Sequence, residues 1–430
     1  MLVALLVVAT GCDWAQLGFD AAHTGSQPVE RTIGPANVAG LTQRWSAQIA
    51  ERRTPISPAV VGGVVYMVGT GFVYAVDANT GVRRWKAPVS GFFPSSPAVS
   101  DGVVFVAGDR LQAFAAGGCG ASTCAALWTS DPFPPPSPST PVLSGSPVVS
   151  GGVVYVDALR LFAFDASGCG SPTCAPLWSS PSEPTRQALS APAVANGIVY
   201  TSHGGLSAFG ASGCGAAECS PLWTVTVDGS ASSGPAIAGG VAYVPSDNGG
   251  GTGTLTAFRV ADCSAAGCAP LWKAHTGGHS NPFVFVTPDN ASAAIAGGVV
   301  YAAANEASSG DATLYAFRAT GCGASTCSPL WTARAPGLAL SSPTVANGVV
   351  YLGTGWIAQG GEAGTRTPGA LVAFAANGCG TSTCTPLWQS ASTTVESSAV
   401  IVNGAVYVAT LPLTSTKGAI VKFQLPATSG

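Results

Sequence analysis

The chain has 430 residues, of which 47% are apolar and only 9% are charged, with a formal net charge of −3 at pH 7. This balance excludes a protein that binds nucleic acid or an anionic membrane surface, because both need a basic face. No apolar run reaches the roughly eighteen residues of a membrane span. The four histidines argue against a multi-histidine metal centre, and the length fits two or three ordinary domains or one large repeat array.

The N-terminus carries the features of an export signal. Residues 1–8 form an apolar run too short to span a bilayer, and Ala9-Thr10-Gly11-Cys12 follows it. The pattern resembles a bacterial lipobox, although Ala9 stands where leucine is usual and no basic residue precedes the run. A true start codon further upstream would explain the missing basic region. We predict a lipoprotein-type signal segment over residues 1–12 with lipidation at Cys12; an ordinary secretion signal is the alternative.

From residue 57 onward the chain repeats a unit of four short apolar runs. In one unit these runs are Ser96–Val99, Gly102–Phe105, Leu111–Phe114 and Leu127–Trp128. Runs of a few residues rich in Val, Tyr and Phe, bounded by Gly, Pro, Ser or Asn, are typical of β-strands. Eight such units follow one another, and the eighth lacks its last strand. A repeat of this length indicates a repeat architecture.

Trp45 supplies the strand that the eighth unit lacks. It lies in a lone terminal-type strand before the first unit, so the N-terminal segment can complete the last blade and close a ring. The sequence therefore predicts an all-β, eight-bladed β-propeller with four antiparallel strands per blade over residues 13–424. A disordered tail is predicted at 425–430. The tryptophans that end the units are Trp45, Trp85, Trp128, Trp178, Trp223, Trp272, Trp331 and Trp388.

Twelve of the thirteen cysteines form six pairs with four residues between the two sulfurs. So many regularly spaced pairs indicate an oxidising compartment, and a short hairpin loop can bring two Cα atoms within about 4.4–6.8 Å, as a disulfide needs. Zinc binding by converging pairs is the alternative, but successive blades hold the pairs apart and no histidine accompanies them. The predicted disulfides are Cys119–Cys124, Cys169–Cys174, Cys214–Cys219, Cys263–Cys268, Cys322–Cys327 and Cys379–Cys384.

The spacing Ala75-x-Asp77-x-x-x-Gly81-x-x-x-Trp85 resembles the tryptophan-docking motif of eight-bladed quinoprotein propellers. The opening Asp13-Trp14 with His23-Thr24-Gly25 is similar to that of PQQ-binding-like propeller proteins. The resemblance implies that each tryptophan wedges against the neighbouring blade and that the glycine turns the chain between the outer strands.

That family contains calcium- and quinone-dependent alcohol and sugar dehydrogenases. It also contains non-catalytic relatives, among which the outer-membrane assembly lipoprotein of the BamB type is closest in character to this chain. The chain lacks the adjacent cysteine pair that stacks on the quinone and the C-x-x-C-H motif of a haem site, so no cofactor-binding residue is carried over. Because propellers host many unrelated activities, the resemblance predicts the fold more strongly than the function.

The candidate binding face is predicted from loops that lengthen in the later units, between second and third strands and between blades. Trp356 lies outside the repeat positions and suggests stacking against a ligand, with capping of its own loop as the alternative. For His275 and His279 the alternative is a solvated loop histidine. For Asp247 and Asn248 it is turn formation instead of help in binding calcium. The predicted face comprises Trp356, Glu362, Arg366, His275, His279, Asp247, Asn248 and Glu306.

Together these features predict a monomeric, extracytoplasmic protein of the bacterial cell envelope, lipid-anchored or secreted. We expect it to bind a protein, peptide or glycan through its loop-rich face without catalysis and without a cofactor. The first alternative is an alcohol or sugar dehydrogenase that uses pyrroloquinoline quinone and calcium, and the second is a cell-envelope sensor or structural protein. No hydrolase motif is present. Nucleic acid is not an expected partner, and membrane contact is expected only through the lipid on Cys12.

Overall fold

Short runs of Val, Tyr and Phe between Gly-rich turns fold into eight blades, each built on a four-stranded antiparallel sheet. The computed structural model describes residues 13–50, 56–69, 71–91, 95–135, 142, 144–182, 190–202, 204–231, 233–249, 251–278, 292–305, 311–355, 369–411 and 417–427. The predicted eight-bladed propeller is confirmed.

Strands are given from the innermost to the outermost of each blade. Blade 1 comprises Ala59–Val61, Val64–Gly69, Phe72–Asp77 and Arg83–Pro88, and blade 2 comprises Ala98–Ser100, Val103–Ala107, Leu111–Ala115 and Trp128–Ser130. Blade 3 comprises Val148–Ser150, Val153–Asp157, Leu161–Asp165 and Trp178–Ser179, and blade 4 comprises Ala193–Ala195, Ile198–Ser202, Gly205–Gly210 and Trp223–Thr226. Blade 5 comprises Ala236–Ala238, Val241–Gly249, Thr252–Arg259 and Trp272–Gly277, and blade 6 comprises Ala294–Ala296, Val299–Asn305, Ala312–Arg318 and Trp331–Ala335. Blade 7 comprises Thr344–Ala346, Val349–Gly355, Leu371–Ala375 and Trp388–Gln389, and blade 8 comprises Val400–Val402, Ala405–Leu411, Gly418–Gln424 and Thr42–Ala50.

The last blade is completed by the N-terminal strand. Thr42–Ala50 pairs antiparallel with Gly418–Gln424, and Trp45 lies opposite Lys422. The predicted closure of the ring is confirmed. Beyond this strand, the backbone carbonyl of Leu425 accepts a hydrogen bond from Arg44, so the first residue of the predicted tail is held, whereas residues 428–430 lie outside the described residues.

A few short elements lie outside the four-stranded pattern. Two are 3-10 helices of three residues each, and within the described ranges no helix is long and apolar enough to cross a membrane. The additional elements are the helices Val38–Gly40 and Val260–Asp262 and the strands Ser26–Gln27, Thr173–Cys174, Leu338–Ala339, Thr383–Cys384 and Thr394–Val395.

The turn that joins the innermost strand to the second strand has the same backbone form in every blade. Its two residues both have positive φ, as at Asn196 (52°) and Gly197 (76°). This is the pattern of a type I′ hairpin turn, which favours Asn-Gly, Asp-Gly and Gly-Gly, the pairs found here. Because a two-residue turn sets the register of its hairpin, it also sets which side chains face the next blade.

Adjacent blades are joined by the predicted tryptophan docking. In blade 1, the indole Nε1 of Trp85 and the hydroxyl of Tyr66 both donate to the carbonyl of Ala116 in blade 2, each at 3.1 Å. Trp45 and Tyr407 of blade 8 donate in the same way to Ala78 of blade 1, each at 3.2 Å. The docking implied by the family resemblance is therefore present, and it includes the junction between the first and last blades.

Candidate functional site

The centre of the propeller is closed by the chain's own N-terminal segment. We call residues 14–27 the axial segment. It passes every blade once and forms a hydrogen bond with the middle residue of each innermost strand. The contacted strand residues are Val60, Val99, Val149, Val194, Ile237, Ile295, Val345 and Ile401.

The axial segment lies toward the face that carries the turns between the first and second strands. Trp14 exchanges two backbone hydrogen bonds of 2.8 Å with Val60, and Asp13 accepts from the backbone of Gly62 in the turn that follows. In seven blades the segment accepts from the N–H of the middle strand residue, and in blade 8 Gln27 donates to the carbonyl of Ile401, so the segment satisfies backbone groups that point into the channel. The channel is thus blocked from this face, opposite the predicted binding face.

A ring of serines surrounds the axis next to this segment. The ring lies two positions before each innermost strand. At five of the eight positions the serine hydroxyl accepts a hydrogen bond from the backbone N–H of the preceding ring member, as Ser96 does from Ser57 at 2.8 Å. The eight ring positions are Ser57, Ser96, Ser146, Ala191, Gly234, Ser292, Ser342 and Ser398. Every ring position is uncharged.

His23 lies where the serine ring is interrupted. A Cβ atom added to Gly234 would come 3.3 Å from His23 Nδ1, so the small residues of blades 4 and 5 leave space for the imidazole. His23 is 1% exposed, and neither ring nitrogen has a hydrogen-bond partner among the described residues. Burial lowers the pKa of His23 to about 4, so the imidazole is neutral at pH 7. It lines a cavity of about 10 Å³ together with Ser292 and Ser342.

Three of the predicted binding-face residues are described, and they meet at one end of blade 5. Asp247 Oδ1 accepts from the backbone N–H of Gly249 at 2.7 Å, and Asn248 Nδ2 donates to Thr254 Oγ1 at 2.9 Å. The exposed His275 pairs with Thr254 across the sheet. The bond from Gly249 to Asp247 is that of a turn-forming residue, whereas Asn248 bonds across the hairpin to the facing strand.

These three residues lie in strands and not in the predicted loops. Asp247 and Asn248 belong to the strand Val241–Gly249, and His275 belongs to Trp272–Gly277. The hairpin of blade 5 continues further than the repeat pattern suggests because its strands keep pairing up to Gly249 and Thr252. Trp356, Glu362, Arg366, His279, Glu306 and the lipidation residue Cys12 lie outside the described residues.

All six predicted disulfides are present. Five of the stapled hairpins also cover the outer edge of the preceding blade. In blade 3, Ser179 donates to Ala217 at 2.9 Å and accepts from Cys219 at 2.8 Å, both in the hairpin of blade 4. The same parallel pairing joins Lys86 to Thr123, Thr129 to Thr173, Lys273 to Thr326 and Thr332 to Thr383. The staples therefore protect strand edges.

The hairpin of blade 5 is the exception, and its sequence explains why. In the other five hairpins a glycine at positive φ precedes the first cysteine and lies against the tryptophan of the preceding blade, as Gly118 lies against Trp85. In blade 5 the corresponding residue is Asp262, and the 3-10 helix Val260–Asp262 replaces the turn. A side chain at this position has no room beside the ring of Trp223, which remains half-buried.

Removing a covering disulfide should destabilise the protein more than removing the exceptional one. Changing Cys169 and Cys174 together to serine should lower the free energy of unfolding by about 2 kcal/mol through chain entropy. A further ~1 kcal/mol should follow from loss of the buried Cys174 side chain, which is 3% exposed. Changing Cys263 and Cys268 to serine is the control, because that hairpin covers no described edge. Urea denaturation measures both; equal losses would contradict the covering role.

The described residues contain no group of three or more His, Cys, Asp or Glu side chains that could bind a metal ion. The repeated Ser-Pro before several innermost strands is the sequence signal that could have revealed the serine ring. The two ring positions that are not serine, Ala191 and Gly234, lie beside His23. The sequence alone did not reveal that an N-terminal histidine packs beside these two positions.

Comparison with known proteins gives one family and a set of similar folds. A model of the family described as outer membrane protein assembly factor BamB matches residues 37–262. No curated protein sequence matches the chain. Among solved structures, BamB from Moraxella catarrhalis is 15% identical with a TM-score of 0.60, over 89% of this chain and 99% of that chain.

Two dehydrogenase structures are also similar in fold. Quinohemoprotein alcohol dehydrogenase from Comamonas testosteroni is 15% identical with a TM-score of 0.68, over 97% of this chain and 81% of that chain. A europium-containing methanol dehydrogenase is 13% identical with a TM-score of 0.68, over 97% of this chain and 98% of that chain. At such identities the likeness establishes the fold and leaves the activity open.

Proposed function

Because the chain belongs to the family of the outer membrane protein assembly factor BamB, we propose that it is a non-catalytic binding protein of the bacterial cell envelope whose partner is another protein. The six disulfides support a location outside the cytoplasm. Lipid attachment at Cys12 is part of the same proposal. Peptides and glycans remain the alternative ligand classes for the loop-rich face.

The observation that carries the proposal is the chemistry around the propeller axis. Pyrroloquinoline quinone carries several carboxylates and needs cationic partners, while calcium takes roughly six to eight oxygen ligands, carboxylates among them. The eight ring positions are serine, alanine and glycine, and much of the hydrogen-bonding capacity of the ring is used within it. His23 is neutral there because its pKa is lowered. These residues do not fit the quinone with its calcium ion.

We place the binding face on the side opposite the axial segment as part of this proposal. On that side the strands of blade 5 extend to Gly249 and Gly277, beyond the ends of the corresponding strands in blades 2 and 3. Extended hairpins and linking loops on one face of a rigid scaffold are the usual location of recognition residues. Trp356, on the corresponding loop of blade 7 in the sequence, is proposed as an aromatic anchor for the partner.

The proposal is tested by partner capture from a solubilised envelope fraction. Trp356→Ala should recover about tenfold less partner than the unchanged protein, since aromatic anchors often contribute 1.4 kcal/mol or more to binding. Val82→Ala is the matched control, because Val82 is 64% exposed on the opposite face and its change should leave capture unaltered. Equal capture by all three proteins would contradict the assignment of the face.

The dehydrogenase alternative is tested by a separate experiment. The protein is incubated with pyrroloquinoline quinone and calcium, and dye-linked oxidation of alcohols and sugars is followed. We expect neither a retained chromophore nor turnover. Turnover that depends on both additions would replace the proposed function with the dehydrogenase alternative.

A further inference from the structure

The outer edge of blade 7 differs from the edges that the stapled hairpins cover. In the five covered blades, the residue after the docking tryptophan pairs outward through its backbone, as Ser179 does with Ala217 and Cys219. The corresponding residue of blade 7 is Gln389, in the strand Trp388–Gln389. Within the described part of the chain, no segment forms strand pairing with its outer side, and the 3-10 helix Val38–Gly40 lies beside this strand without pairing with it.

The docking tryptophans are less exposed in blades whose outer edge is covered than in blades whose outer edge is not. The five tryptophans beneath a covering hairpin are at most 5% exposed, whereas Trp388 is half-buried, as are Trp45 and Trp223. In the covered junctions the second cysteine of the hairpin, such as Cys384 at 5% exposure, fills the gap between the two blades. Blade 8 has no stapled hairpin because the N-terminus supplies its outermost strand.

An open cleft of about 400 Å³ occupies the space beside blade 7. Its apolar wall contains Trp388 and Phe423, whose rings meet edge-to-face at 5.3 Å. The complete lining is Leu41, Gln43, Ser46, Trp388, Gln389, Ser390, Ala391, Ser392, Thr393, Thr410, Val421 and Phe423. None of these side chains is charged, so the cleft suits a neutral ligand.

We propose that this cleft binds an extended segment of a partner protein, which pairs in parallel with the edge of blade 7 and places a small uncharged side chain on the Trp388–Phe423 wall. The inference rests on the proposed function and names the kind of segment that the partner presents. Its peptide would add a strand to the blade, a recognition mode in which backbone hydrogen bonds give affinity and a side-chain pocket gives specificity.

The chain itself indicates what fits such a site. Five covered edges of this protein hold an extended segment in the same parallel register. In blade 6, Thr332 pairs with Thr383 and donates to the carbonyl of Ser382 at 2.9 Å. A ligand at Gln389 can make the two backbone hydrogen bonds that Ser179 makes with Ala217 and Cys219 in blade 3. Among the described residues, no segment pairs with the edge of blade 4 at Thr224 either, and this edge serves below as the matched control.

The probe is a fluorescein-labelled peptide with the sequence of residues 380–387 and the change Cys384→Ala, added to the full chain and followed by fluorescence anisotropy. We expect saturable binding that changes little with salt, because the cleft is uncharged. Gln389→Pro removes the outward N–H without affecting a ladder bond. It should weaken binding about tenfold, the equivalent of one hydrogen bond at about 1.4 kcal/mol.

Thr224→Pro is the matched control and should leave the affinity for the peptide unchanged. A second readout does not depend on how the variants fold: a photoreactive phenylalanine in the peptide should crosslink to residues 388–393 of the unchanged protein. Absence of binding, or crosslinks confined to other blades, would overturn the proposal.

Two further outcomes identify a different occupant and would also overturn it. If a chain ending at Gln424 binds the peptide about tenfold more tightly, the chain's own C-terminal residues occupy the cleft. If the unchanged protein forms dimers that Gln389→Pro abolishes, a second copy occupies it. Partner capture that depends on Trp356 but not on Gln389 would retain the proposed function while rejecting this site.

Discussion

Gly321→Ala should lower the free energy of unfolding by about 3 kcal/mol, the sum of backbone strain and steric overlap. Gly321 has φ of 80°, where a side chain is strained, and a Cβ atom there would lie 2.5 Å from Cδ1 of Trp272. Trp272 is 1% exposed and donates to Ala319 at 3.2 Å, so its ring cannot shift without loss of that bond. Chemical denaturation provides the measurement.

Gly323→Ala is the control for this change. Gly323 lies in the same hairpin with φ of 81°, and nothing lies within 4 Å of its added Cβ atom. Only the backbone strain of about 1–2 kcal/mol should appear. The difference between the two variants therefore reports the docking of Trp272 against blade 6. Equal losses would mean that the tryptophan contact contributes nothing beyond the strain of the turn.

Acidification should destabilise the protein through His23. Burial lowers its pKa from 6.5 in an exposed chain to about 4 in the folded protein, so the unfolded chain takes up a proton first as the pH falls. Stability is therefore unaffected above pH 6.5 and is lost between about pH 6.5 and 4. The full loss is about 3 kcal/mol, since each pKa unit corresponds to about 1.4 kcal/mol.

His23→Asn removes this titration and suits the backbone, because the φ of 56° at this position is one that asparagine tolerates. The nearby Asp20, whose pKa is raised chiefly by burial, titrates in both proteins and cancels in the comparison. The unfolding free energy of the unchanged protein should fall relative to the variant as the pH drops. Parallel pH profiles would show that His23 is not buried as a neutral base.

The repeat pattern predicted most of the scaffold because its signals are local. Two-residue turns such as Asn196-Gly197, alternating strands and the cysteine spacing act within one unit, so they can be read without knowing the neighbours. The closure of the ring could also be predicted, because Trp45 carries the signature of the strand that the eighth unit lacks. The exceptional hairpin of blade 5 has a visible signal too, in Asp262 at the position of the docking glycine.

The candidate sites were less predictable because they depend on residues that are distant in the chain. His23 meets Gly234 beside the axis, and Trp388 meets Phe423 across the cleft between blades 7 and 8. The sequence predicts a loop at His275, whereas cross-strand pairing with Thr254 holds this residue in a strand. Pairing between strands depends on the whole hairpin and overrides the local turn composition.

By itself the sequence determined the number of blades, the six disulfides and the tryptophans that dock each blade to the next, because each of these is set by short-range spacing. Only the tertiary structure decided that the axial segment blocks the channel and that the edge of blade 7 stays unpaired in the described residues. Both follow from closing the ring. Closure brings the N-terminus onto the axis and into blade 8, and that blade then lacks the hairpin that would cover Gln389.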